Sequence, residues 1–410
     1  MNSSYDAIVI GAGPGGATAA YEMAKRGLSV ALLEKRALPR YKACAGGVPP
    51  HVEQILDFSI EPVIEYRITK ILVTVRLQSP FITESPRPLI YMVMRDRFDN
   101  HLVDVARRAG AVVFAGSPVR EIADGKGECV VKTTDTEYRG RYVIGSDGAA
   151  SLTRKLIAAP RFHYFGVAIA REIDATPETT RNWHDTVALD FGHIFSGYGW
   201  VFPKKKGFSV GTGGPRTVAR HMAPYCDRVV AHYKLRTTAF QGRRSAAFDG
   251  LGRPSYNRKQ SAAGFRDTRT VAHGLPVRML NEPIVFGRTL LVGDAAGLIE
   301  PLSGEGIYYA IRSGQIAAET VAEAMRLGES HLITYQRRID AEIQPEMQIA
   351  KTMRVMLNLG PSFWVPRLMK PGSAFWQNFR QVFTGEKKYQ DLAKRFGPIG
   401  AAFYRIVQPK

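Results

Sequence analysis

Cysteine is scarce in this 410-residue chain: there are three, Cys44, Cys129 and Cys226, at wide and irregular spacing. That is too few for a disulfide framework and contains no CxxC pair, so a reducing compartment and no metal centre are expected. Long apolar runs are missing too. Nothing reaches the ~18 uninterrupted apolar residues that mark a helical membrane span. The opening stretch MNSSYDAIVIG lacks the basic flank and apolar core of a secretory signal, so a cytoplasmic location is expected. Internal repeats and low-complexity tracts are also absent.

Acidic residues are outnumbered, 37 against 56 Lys and Arg, for a net charge of +19. From Lys204 to Arg278 sixteen basic residues face only Asp227, Asp249 and Asp267. Such a block suits a solvated basic face, a diphosphate-bearing substrate or an anionic membrane surface, and the last would place the protein peripherally on the membrane. No nucleic-acid-binding module accompanies the charge, which argues against nucleic acid.

What is present begins with YDAIVIGAGPGGATAAYEMAKRG followed by SVALLEK: strand, glycine turn, alanine-rich helix and strand, one βαβ unit. From Met94, MRDRFDNHLVDVARRAG places Phe98, Leu102, Val105 and Ala106 at helical spacing and leads into the strand AVVFA. RYVIGSDG from Arg141 and FGRTLLVGD from Phe286 each read as a strand ending in a polar turn. Between them lies a tract rich in β-branched and aromatic residues. After Gly304 the pattern turns helical, with Ile307, Ile311, Gly314, Ala318 and Val321 along one face. The expected architecture is α/β: a Rossmann-like dinucleotide domain from 1–157 and 281–328, an inserted mixed β-sheet substrate domain at 158–280, and a helical C-terminal region at 329–410.

Gly11, Gly13 and Gly16 form GxGxxG at the junction of first strand and first helix. The three glycines allow a tight turn, close approach of backbone to a pyrophosphate, and close helix packing, with the anion at the helix N-terminus. Glu34 ends the second strand about twenty residues on, where an acid accepts ribose hydroxyls. Together they predict a dinucleotide site.

The sheet motif returns only after a long interruption, with LLVGDAAGLIEPLSGEGI, and this arrangement resembles the FAD-containing reductases and hydroxylases. Within that group the chain is similar to the geranylgeranyl reductase family over about residues 5 to 325. Three stretches carry the resemblance: KACAGGVP from Lys42; Tyr198, Trp200, Phe202 and Pro203 followed by Gly211 and Gly213; and PLSGEGIYYAIRSG from Pro301. The resemblance implies an FAD-binding Rossmann-like domain with cofactor contacts at Gly11, Gly13, Gly16, Glu34, Lys35, Cys44, Ala45, Arg95, Val119, Asp147, Gly148, Asp294, Gly304, Gly306 and Ile307. It implies a substrate site at Tyr198, Trp200, Phe202, Gly46 and Gly47, with Cys44 and Tyr198 as catalytic candidates.

The implied reaction saturates isolated C=C bonds of a geranylgeranyl chain by hydride transfer from reduced flavin plus protonation. In a strand, Tyr198, Trp200 and Phe202 share one face. An aromatic wall of this kind suits a polyprenyl chain, at about 25 cal/mol per Å² buried. The prenyl carrier is left open among a diphosphate, a chlorophyll-type compound, a quinone and an ether lipid. The external electron donor is left open between NADPH and reduced ferredoxin, the latter an electron-donor protein, and no second GxGxxG for NADPH is visible. Two rival readings share the fold: a flavin-dependent monooxygenase or halogenase, and a non-enzymatic prenyl-binding escort protein. Halogenases have tryptophan where this chain has Tyr198 and isoleucine where it has Phe202. The C-terminal stretch PSFWVPRLMKPGSAFWQNFRQVF, from Pro361, mixes aromatic and basic residues and reads as an interfacial helix, a lid or an ordinary packed helix.

Overall fold

The computed structural model describes residues 4–125, 127–235, 269–329, 332–359 and 370–391. Three sheets organise them. The first grows from strand Ser4–Ile10, which pairs in parallel with Val30–Glu34 on one side and Glu137–Gly145 on the other. Val112–Ala115 and Thr289–Leu291 extend it, again in parallel. Residues 7–10 and 30–34 are buried throughout, which is why these strands read as unbroken apolar runs. Helix Pro14–Lys25 follows the first strand, and helix Ile307–Leu327 lies tightly against it. A Cβ at Gly314 would stand 2.4 Å from the Gly15 carbonyl oxygen. Ile307, Ile311, Gly314, Ala318 and Val321, expected on one helix face, are all buried.

The second sheet has seven strands, ordered Arg269–Val277, Tyr164–Asp174, Gly207–Pro215, Tyr198–Lys204, Thr186–Phe191, Lys70–Val75 and Gln78–Glu84. Five fall within the expected insert. The last two come from the first segment, so this sheet interleaves the two expected domains. The apolar side chains explain why: Ile71 and Val73 join Val187, Trp200 and Phe202 in one core cluster. Helix Ala219–His232 covers the opposite face through Met222, Tyr225, Cys226 and Val229. Cys226 is therefore core filler.

The C-terminal region is helical at Ile333–Glu342, Gln344–Leu359 and Ala374–Phe383. Residues 361–369 of the aromatic and basic stretch lie outside the described residues, as do residues 236–268 of the basic tract. Ser373 caps the helix Ala374–Phe383 by accepting from the Trp376 N–H at 3.0 Å. Trp376 is buried in the same cluster as Trp200 and Phe202, so this helix packs onto protein and roofs the second sheet. Among the described residues, no helix is long and apolar enough to cross a membrane.

Candidate functional site

The site starts where the first strand ends. Gly11 adopts φ +102°, and a Cβ there would meet the Ser146 carbonyl oxygen at 2.6 Å, so the turn requires glycine. Gly13 faces open space, the nearest atom to an added Cβ being Arg40 Nη2 at 3.8 Å. Gly16 packs against the turn itself: a Cβ would lie 1.9 Å from the Gly11 carbonyl oxygen. Alone among the expected cofactor residues, Gly16 does not line the cavity that opens here, because its space is filled by backbone.

That cavity, about 1090 Å³, runs from the glycine turn to the aromatic strand. It exceeds the ~300–1,000 Å³ of ordinary ligand pockets, leaving room for a cofactor and a second ligand together. All the other expected site residues line it: Gly11, Gly13, Glu34, Lys35, Cys44, Ala45, Gly46, Gly47, Arg95, Val119, Asp147, Gly148, Tyr198, Trp200, Phe202, Asp294, Gly304, Gly306 and Ile307.

Beside the glycine turn the buried Glu34 accepts from the Ala12 N–H at 3.1 Å and from Arg40 Nε at 2.9 Å. Arg40 also bonds Asp99, which holds Arg95 through paired contacts of 2.8 and 3.0 Å. Asp147 spends its carboxylate locally, accepting from the Thr153 N–H at 2.9 Å and from the Ser151 hydroxyl. Asp294, which follows the strand Thr289–Leu291, lies 3.2 Å from His273 Nε2, and Lys42 Nζ stands 3.0 Å from the same nitrogen. Burial would raise the Asp294 carboxyl, but the His273 bond and the Lys42 charge outweigh it and hold it below the usual carboxylate range. Burial and Lys42 together push His273 down, and burial pushes Lys42 down.

In the middle, Cys44 is half-buried, and its sulfur accepts from the Gly46 N–H at 3.3 Å. Gly46 takes φ +72°, and an added Cβ would meet Lys204 Nζ and the Val93 carbonyl oxygen at 2.3 Å each. Lys204, counted in the basic tract, does not belong to a solvated face. It is buried, donates to Val93 O at 2.8 Å and Gly46 O at 3.4 Å, and burial lowers its pKa to about 8. Only Lys205 and Lys206 of the triplet are exposed.

The aromatic strand Tyr198–Lys204 forms the wall anticipated from its alternation. Tyr198 and Trp200 have ring centroids 6.1 Å apart, and Trp200 and Phe202 6.5 Å. The partner glycines have a packing reason: Trp200 pairs across the sheet with Gly211, where a Cβ would strike its ring at 2.2 Å. Phe379 and Phe383 close the cavity from the C-terminal helix. The Tyr198 hydroxyl donates to the Ser303 carbonyl, and burial with Glu300 nearby pushes its pKa well up.

Sequence reading missed Arg40, His273, the interior Lys204 and Glu305, all but Lys204 in the lining. Lys204 had a legible signal, since the alternation of Tyr198, Trp200 and Phe202 continues to it. Glu305 sits inside the quoted PLSGEG stretch. Arg40 and His273 had none.

The FAD binding domain family matches residues 4–347. The geranylgeranyl diphosphate reductase of Rhodobacter capsulatus is 32% identical over 343 residues, 79% of this chain and 77% of that protein. The chain belongs to the geranylgeranyl reductase family of FAD-dependent oxidoreductases. A second family relative, digeranylgeranylglycerophospholipid reductase 2 of Methanothermobacter thermautotrophicus, is 30% identical over 376 residues, 86% of this chain and 88% of that one. The fold matches a geranylgeranyl bacteriochlorophyll reductase-like protein from Thermoplasma acidophilum with a TM-score of 0.75, at 22% identity over 97% of this chain and all of that one. The residues fit the family's cofactor: an open cradle at Gly13 before a helix N-terminus, the buried carboxylate of Glu34 for ribose hydroxyls, and a second carboxylate, Asp294, at the other end.

Proposed function

We propose that the protein saturates isolated C=C bonds of a geranylgeranyl chain, with FAD bound between Gly11 and Asp294. One observation carries the reading: the wall of Tyr198, Trp200 and Phe202 bounds the same cavity that begins at the glycine turn. A prenyl chain against that wall lies where the cofactor half and the substrate sheet meet. Reduced flavin supplies hydride when bound. Gly11, Gly13, Glu34, Lys35, Arg95, Val119, Asp147, Gly148, Asp294, Gly304, Gly306 and Ile307 hold the cofactor. Gly46 and Gly47 border the substrate side of the cavity, where a Cβ would crowd Lys204 and Phe202, and Cys44 with Ala45 shapes the space beside them.

The carrier of the prenyl chain is a diphosphate, a chlorophyll-type compound, a quinone or an ether lipid; the names of relatives speak of a diphosphate, a glycerophospholipid and a bacteriochlorophyll. Electrons reach the flavin from NADPH or from reduced ferredoxin. Tyr198 serves as an anchor, because its hydroxyl already binds Ser303. Phe379 and Phe383 help exclude water. A peripheral position on an anionic membrane brings the protein to lipid-borne substrates.

The test is anaerobic. Dithionite-reduced protein is incubated with geranylgeranyl diphosphate, a geranylgeranylated chlorophyll pigment and an unsaturated ether lipid, and products are read by mass spectrometry. A gain of two hydrogens per double bond is expected from at least one of them. Cys44→Ser should keep FAD but alter the rate or the number of bonds reduced. Colourless protein that takes up no FAD, or products that require oxygen, would sink the reading.

A further inference from the structure

Saturating an isolated double bond consumes a hydride and a proton, and the source of the proton is still to be found. The Tyr198 hydroxyl is committed to Ser303 and made a weaker acid by burial. Two residues past Ser303, Glu305 lines the cavity between Gly304 and Gly306, with no side chain on either neighbour to screen it. The Tyr198 bond ties this loop to the aromatic wall, so the carboxyl and the wall border one space. Its Oε1 accepts from the Tyr308 N–H at 2.7 Å, and the Ile307 N–H also draws on the carboxyl. Both are contacts in which the carboxyl accepts, and they leave its acidic proton uncommitted.

Resting on the reductase reading, we propose that Glu305 is the general acid of the reduction, giving the proton that completes saturation of the double bond. The π bond breaks and two C–H bonds form, one to hydride from the reduced flavin and one to the Glu305 proton. The flavin is left oxidised, and the Glu305 carboxylate recovers a proton from water. The surroundings suit an acid. Glu300 from the same loop and Asp294 from the strand end face it, with Tyr308 and Tyr309 of the following helix and Tyr389 of the C-terminal segment around them. Burial, aided by Glu300 and Asp294, pushes its pKa up to about 8 against the pull of the two N–H groups. Glu305 is thus protonated at neutral pH, and acid strength near the working pH is what a proton donor needs.

The experiment uses FAD-loaded protein and two readouts. Infrared titration of wild type should show a protonated-carboxyl band that disappears as pH rises through about 8 and is absent in Glu305→Gln. Anaerobic reduction of geranylgeranyl compounds by pre-reduced Glu305→Gln should fall about 100-fold or more with FAD content unchanged. Glu305→Asp, which keeps a carboxyl, should recover part of the rate with a shifted pH profile. Glu305→Gln that keeps the wild-type rate overturns the assignment, as does wild type lacking the band. If wild type reduces no prenyl compound while its band is intact, the functional reading fails and the acid role with it. Failure of Glu305 alone leaves wild-type turnover in place, so the two failures are told apart.

Discussion

Arg40 holds Glu34 through a contact of 2.9 Å between Nε and Oε2. The carboxylate proposed for ribose hydroxyls is therefore already oriented, and Arg40 is itself fixed by Asp99. A buried carboxylate poised this way makes strong hydrogen bonds to an incoming hydroxyl.

Glu34→Ala should consequently weaken FAD retention about 10- to 100-fold, the equivalent of ~1.5–3 kcal/mol for a hydrogen bond to a charged group. Fluorescence titration of cofactor-free protein with FAD measures it. Unaltered affinity would remove Glu34 from the cofactor site.

Trp200→Ala should lower prenyl reduction more than FAD content. The ring is buried in the wall and fitted against Gly211, and losing its contact with an apolar chain is worth roughly 1.5–3 kcal/mol, about 10- to 100-fold in kcat/KM. Equal losses of flavin and turnover would mean that the residue only supports the fold.

Lys204 predicts a pH-dependent stability difference. Burial lowers its pKa from 10.5 to about 8, so between those values the unfolded chain binds a proton that the folded chain has released. Stability then rises with pH across that window, and below about 8 the buried charge is a cost. The Tm of Lys204→Met minus that of wild type should therefore shrink as pH climbs above 8. A constant difference would show that the lysine is not desolvated.

The proposed membrane docking through the described part of the basic tract depends on exposed charge. Lys205→Glu with Lys206→Glu should reduce co-sedimentation with anionic vesicles, and binding should fade as salt rises through about 0.15 M, where screening acts over ~8 Å. Lys204 is left intact in this test because it faces the interior. Absence of wild-type sedimentation at low salt would assign the charge to another task.

Features that depend on neighbours in the chain were legible beforehand. The glycine turn, the acid closing the second strand and the aromatic wall each follow from spacing within one strand-turn-helix or one strand, because backbone geometry and side-chain period act locally. Helix Ile307–Leu327 was readable for the same reason. The sequence by itself therefore determined the cofactor class and the two halves of the cavity. It did not show that strands from residues 70–84 complete the substrate sheet, that Arg40 joins Glu34 to Asp99, or that His273 meets Asp294. Those contacts depend on which distant segments meet, through pairings between strands far apart in the chain. Lys204 and Glu305 show the same limit in electrostatics. A charge count treats a lysine as positive and a glutamate as negative wherever they stand, and only the tertiary structure, by burying Lys204 and by half-burying Glu305 beside Glu300 and Asp294, moved each pKa to about 8.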